Sequence, residues 1–183
     1  MKVVRRWRPF LLNPDMPRDG MERQAYLYGK FGSDARIQRV YDAIADAGEL
    51  EKIPFEFDRI VRTPNSVDSH RLIMFSEATG TAEQVVDALF QVYFSNGQDI
   101  GNRDVLLEIG ERCGIDSEKL SRYFDSGADV DAVLAENGAL HRLGINGVPA
   151  YIFNGTFVVS GAQESPILVR ALDAASVADA AVS

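Results

Sequence analysis

The sequence predicts an α/β chain in which one strand, a long run of helices, and a C-terminal β-hairpin with a covering helix follow in that order. Three observations carry this. A β-branched and aromatic stretch, Val3 to Leu12, opens the chain. Helical periodicity then recurs along the middle, and Asn154-Gly155 separates two short apolar runs near the end.

Bulk properties set the limits within which these elements must fold. With 183 residues, 46% of them hydrophobic, the chain can bury a core without disulfides or metals. The net charge of -8 excludes a nucleic-acid partner, because a polyanion is bound by clustered Lys and Arg. No run approaches the ~18 apolar residues of a membrane span, so no membrane is expected as partner. The apolar stretch Phe10, Leu11, Leu12 is too short for a secretory signal, and a single cysteine suits a reducing compartment. A cytoplasmic protein is expected.

Within Val3 to Leu12 the residues alternate in strand fashion, and Pro9, which lacks a backbone donor, makes it an edge strand. Lys2, Arg5, Arg6 and Arg8 read as its solvated face. The segment NPDMPRDG that follows is a loop. Ser33 can cap a helix whose Ile37, Val40, Tyr41 and Ile44 form one stripe and which Gly48 ends. Asn65 can cap a helix through Phe75 and Thr79, with Asp68 near its positive end.

Thr81 and Gln84 have capping-box spacing ahead of Val85, Ala88, Leu89 and Val92. Asn102 caps a helix reaching Gly114, and shorter helices are expected over Glu118 to Phe124 and Asp131 to Leu143. The hairpin pairs Tyr151 to Phe153 with Thr156 to Val159. Ser165 caps the final helix, with Pro166 at its first position and Ile167, Leu168, Ala171, Leu172 and Ala175 on one face. The Ala-rich tail from Ala174 to Ser183 is expected to fray.

Several segments carry a more specific signal. WRPFLLNP, KFGS at Lys30 to Ser33, RTPNSVDSHRL at Arg62 to Leu72, LFQVYFSNGQDIGN at Leu89 to Asn102, GINGVPAYIF at Gly144 to Phe153 and SGAQ at Ser160 to Gln163 follow in order. Together they resemble the DsbA-like disulfide oxidoreductases, and more narrowly their FrnE-type branch. The resemblance implies a thioredoxin-like fold with a helical insertion: residues 1–13 and 144–183 form a partial thioredoxin-like domain and 14–143 the insertion. It also implies that the N-terminal strand and active-site helix are absent from this chain, which is then a truncated or mis-started form of a longer one. Alternatively the strands re-pair, with a homodimer as one way to do so.

The site follows from the same resemblance. Val148 and Pro149 correspond to the family's cis-proline loop, which would line a substrate groove, whereas the residues alone favour a tight turn feeding the strand at Tyr151. Asn65 and His70 would approach substrate, although capping accounts for Asn65 without any ligand. The family's C-x-x-C motif has no counterpart here, so no catalytic residue is expected in this chain. Cys113 cannot replace it: it sits near the negative end of a helix, and one thiol closes no intramolecular disulfide. His70 and His141 show no ligand spacing, and neither metal nor cofactor is expected.

The functional expectation is therefore a thiol-disulfide oxidoreductase family protein whose redox dithiol lies outside this chain, with a thiol- or disulfide-containing protein or small molecule as substrate. As written, the chain is expected to be inactive in dithiol chemistry. Two alternatives use the same scaffold: a glutathione-dependent isomerase or transferase of the kappa-class type, and a non-catalytic binding protein. SGAQ after the hairpin favours the oxidoreductase over the transferase branch, which resembles it but carries an Asp-Arg-containing sequence there.

Overall fold

Val3–Leu12 belongs to no helix or strand in the computed structural model, which describes residues 3–180, with side chains to 177. The expected edge strand is thus corrected. A strand exists only through a ladder with a neighbour, and no described neighbour offers one. Pro9 has no N–H to give, and the Leu11 N–H donates instead to the Asn137 side-chain oxygen at 2.8 Å. The basic face is only partly solvated, since Arg5 pairs with Glu83 and Arg8 with Glu136. Lys2 lies outside the described residues.

The described residues fall into two units: 3–7 with 13–133, and 8–12 with 134–180. The first is helical. It begins with a two-residue strand, β1 (Met21–Glu22), which pairs antiparallel with β2 (Arg62–Thr63). Between them stand α1 (Arg23–Phe31) and α2 (Asp34–Leu50). The Glu22 carboxylate accepts the N–H groups of Ala25 and Gln24 and so caps α1, an element the sequence reading missed.

Gly48 does not end α2 as expected. It lies inside the helix, where a Cβ would strike the Phe55 ring, so glycine here permits a close approach rather than a turn. Phe55 and Tyr41 stack on either side of Phe57, at centroid distances of 5.2 Å and 4.3 Å.

The core of this unit lies among four further helices, α3 (Val67–Glu77), α4 (Ala82–Phe90), α5 (Arg103–Arg112) and α6 (Ser117–Asp125). Leu72, Val85, Leu89, Val92, Leu106, Ile109 and Leu120 are among ten buried residues that form one cluster. The expected stripe Val85, Ala88, Leu89 and Val92, which runs from α4 into the turn after it, supplies four of them. Its capping box does not form, however, because the Thr81 hydroxyl is held by that of Thr79 at 2.8 Å. Caps are present at α5, where Asn102 accepts from the Asp104 N–H, and at α6, where Asp116 accepts from the Lys119 N–H. A π-helical turn, Gln91–Ser95, extends α4.

One charge is buried in this unit. Arg71 on α3, 2% exposed, donates to Asp68 at 2.6 Å and to the carbonyl oxygens of Tyr123 and Ala128. Its guanidinium also lies 4.9 Å from the Tyr123 ring centroid. Every partner is fixed by a helix or its end, so the residue ties α3 to the turn after α6.

α7 (Val130–Arg142) passes from the first unit into the second at Val133. Beyond it come β3 (Ala150–Phe153), β4 (Phe157–Ser160) and α8 (Ser165–Ala180). The hairpin is as expected: β3 and β4 pair antiparallel with Phe153 opposite Phe157, and Asn154, at φ 49°, occupies the turn. α8 buries Ala171 and Ala175 and is helical to Ala180, which covers the first part of the Ala-rich tail. Residues 181–183 lie outside the described residues. Phe10, Leu140 and Ile145 form the buried cluster of this unit, with Ala150, Ile152 and Val158 partly buried against it.

Candidate functional site

The residues singled out from the sequence are divided between the units. Val148 and Pro149 lie in the second, on the loop that joins α7 to β3, and Asn65 and His70 lie in the first. The Val148–Pro149 peptide bond is cis. Val148 is 49% exposed, and both residues stand immediately before β3. Just upstream, the Asn146 side-chain amide donates to the Gly144 carbonyl at 3.1 Å, closing the loop on itself.

β3 is bonded on one side only. Among the described residues its single strand partner is β4, so the other edge carries no ladder. All four of its residues are half-buried. The loop and this edge together offer main-chain donors and acceptors of the kind that take up an extended chain.

In the first unit a cleft of about 390 Å³ is lined by Asn65 together with Arg18, Asp19, Arg62, Asp99 and the Gly101–Asn102 turn. Asn65 does not cap α3 directly, since that position is Ser66. Its oxygen accepts from the Val67 N–H at 3.0 Å, and its amide donates to the Met16 carbonyl at 2.8 Å. The side chain thereby fixes the loop 13–20 to the start of α3. Asp99 accepts from the Gly101 N–H at 2.8 Å and stands 3.7 Å from Arg62.

Two guanidinium groups and two carboxylates leave this cleft nearly neutral. Its lining holds no thiol, imidazole or side-chain hydroxyl, and its arginine, carboxylate and asparagine groups suit the binding of polar groups. Spacing in the sequence gave no warning of Arg18, Asp19 and Arg62, which converge only because β1 and β2 pair.

His70, half-buried on α3, is not among the lining residues. His141 packs its ring against Phe10 at a centroid distance of 5.1 Å. No group of three or more His, Cys, Asp or Glu among the described residues could hold a metal ion.

Cys113 closes α5 and packs against the ten-residue cluster. Burial pushes its thiol pKa up, opposed only by the nearby Arg112 charge. A thiol held protonated is a poor nucleophile, in agreement with its place at the negative end of a helix. No described helix is long and apolar enough to cross a membrane.

Comparison with known proteins adds two findings. The family model described as a DSBA-like thioredoxin domain matches residues 2–173. The crystal structure of a probable DsbA oxidoreductase from Streptomyces coelicolor superposes with a TM-score of 0.83 at 26% identity, covering 92% of this chain and 73% of that one. No curated protein matches.

Proposed function

Since the chain belongs to the DsbA-like thioredoxin-domain family, whose members act on thiol or disulfide substrates, we propose that it captures an extended, cysteine-containing peptide and carries no dithiol chemistry of its own. One observation carries the reading: among the described residues β3 is laddered by β4 alone, directly after the exposed Val148. An added strand would hydrogen-bond to that edge, with affinity from the main chain and selectivity from the half-buried side chains of β3. Resolving a mixed disulfide by closing an intramolecular one needs two thiols in reach of each other, and the chain has a single cysteine whose pKa burial pushes up.

This reading includes the FrnE-type branch, a cytoplasmic location suited to one unpaired thiol, and Asn65 and His70 as polar contacts within their own unit. Peptide capture tests it. Calorimetric titration with a cysteine-containing peptide should give saturable binding, and N-methylation of alternate backbone amides should weaken it about tenfold per lost hydrogen bond. Insulin disulfide reduction should show no turnover. Affinity insensitive to N-methylation, turnover that vanishes in Cys113→Ala, or saturable glutathione binding in place of peptide would each overturn the proposal.

A further inference from the structure

Four Asn-Gly dipeptides occur in this chain, at Asn96, Asn137, Asn146 and Asn154. In such a pair the unhindered glycine amide nitrogen can attack the asparagine side chain, provided that the nitrogen is not engaged as a donor and the side-chain carbonyl can swing onto it. The structure sorts the four by these requirements. Asn137 is 7% exposed inside α7, and its oxygen is held by the Leu11 N–H. At Asn96 the following Gly97 N–H donates to the Tyr93 carbonyl at 3.1 Å, and a Cβ on Gly97 would collide with Arg59. Asn154 is exposed, but its amide is tied at 3.0 Å to the Ala175 carbonyl on α8.

Asn146 is different. It is exposed, outside any helix or strand, and tethered only to Gly144 of its own loop. The Gly147 N–H makes no hydrogen bond among the described residues, and nothing stands within 4 Å of the space a Cβ would occupy there.

We propose that Asn146 is a site of spontaneous modification that installs a negative charge two residues before Val148. The Gly147 nitrogen forms a bond to the Asn146 side-chain carbonyl carbon and loses its proton. The bond from that carbon to Nδ2 breaks, and ammonia leaves. Water then opens the cyclic imide at either carbonyl. One opening leaves an aspartate, and the other leaves an isoaspartate whose main chain is one methylene longer. No oxidant or reductant is needed.

The consequence for capture rests on the peptide-binding reading above: a carboxylate beside the loop repels acidic peptides, and the longer main chain shifts the backbone that leads into β3. The site therefore acts as a one-way timer on the loop.

Ageing the full chain in mildly alkaline buffer, followed by peptide mapping with isoaspartate quantification, tests the modification without reference to binding. The peptide containing Asn146 should convert roughly tenfold faster than that containing Asn137, which must first open from a helix. Gly147→Ala, which blocks the nitrogen's approach, should remove that lead while the far-ultraviolet spectrum stays unchanged. Conversion led by Asn154 or Asn96, or an Asn146 rate unaffected by Gly147→Ala, would overturn the proposal. Asn146→Asp should then weaken an acidic peptide more than a basic one. If mapping succeeds and this charge preference is absent, the modification stands and the capture reading falls.

Discussion

The two units differ most in what they bury. The helical unit surrounds ten clustered core residues, with Leu72, Val85, Leu106 and Leu120 fully inaccessible, whereas the second unit clusters three, Phe10, Leu140 and Ile145. In the first, helices pack on several sides of each apolar residue. In the second, a two-stranded sheet leaves every β3 residue half-buried and keeps Val148, Phe157 and Val169 exposed. A small cluster under a two-stranded sheet supports less independent stability than a core enclosed by helices. The lesson is that the loop proposed to bind substrate is carried by the unit with the smaller buried cluster, the usual location for segments that must adapt to a ligand.

The comparison can be broken by substitutions whose effects should fall in a definite order. Arg71→Ala should be the most damaging, at about 3 to 5 kcal/mol in urea unfolding, because it removes a buried guanidinium that holds Asp68 and two part-buried carbonyl groups at once. A loss below about 1 kcal/mol would show that this charge is not integral to the helical unit. Leu106→Ala, at a site of zero exposure, should cost about 2 to 5 kcal/mol through lost burial and a cavity.

Asn137→Ala should cost about 1 to 3 kcal/mol, since it leaves the Leu11 N–H without its acceptor. Its effect should appear in hydrogen exchange of the second unit while amides of α4 and α5 keep their protection. Uniform loss of protection across both units would mean that they unfold as one, and would remove the contrast. Arg122→Ala should change stability by less than about 0.5 kcal/mol, as its pair with Glu118 at 3.5 Å is solvent-exposed.

A pH titration sharpens the picture further. The Cys113 pKa is raised in the folded state, so its thiol favours folding below the ordinary thiol range. That contribution is lost as pH rises through the folded pKa, because unfolding then releases the proton. Alkylation of Cys113 should accordingly be slower in the native chain than in urea at the same mildly alkaline pH. Equal rates would mean that the thiol is not shielded by the cluster.

Local chemistry made much of the helical unit legible. The asparagine cap of α5 and the apolar stripe of α4 depend on residues within a few positions of one another, and both are present. The hairpin at Asn154-Gly155 is legible for the same reason. Gly48 misled because a glycine near the end of an apolar stripe signals a stop, and only the Phe55 ring resting on it shows otherwise. Thr81 misled because its hydroxyl had a closer partner in Thr79. The cleft that Asn65 lines was not legible, because Arg18 and Arg62 come together through the pairing of β1 with β2, which α1 and α2 separate in sequence.

By itself, the sequence determined the helical segments from α2 onward, where the hairpin turns, that a single cysteine allows no internal dithiol, and which family the ordered motifs resemble. These depend on nearest-neighbour sterics, local hydrogen bonds and residue counts. Tertiary structure decided that Val3–Leu12 forms no strand, that Arg71 is buried, and that among the described residues β3 pairs with β4 alone. Each of those depends on a partner distant in sequence. A strand is a relation between two segments, and no residue pattern within one of them can supply the other.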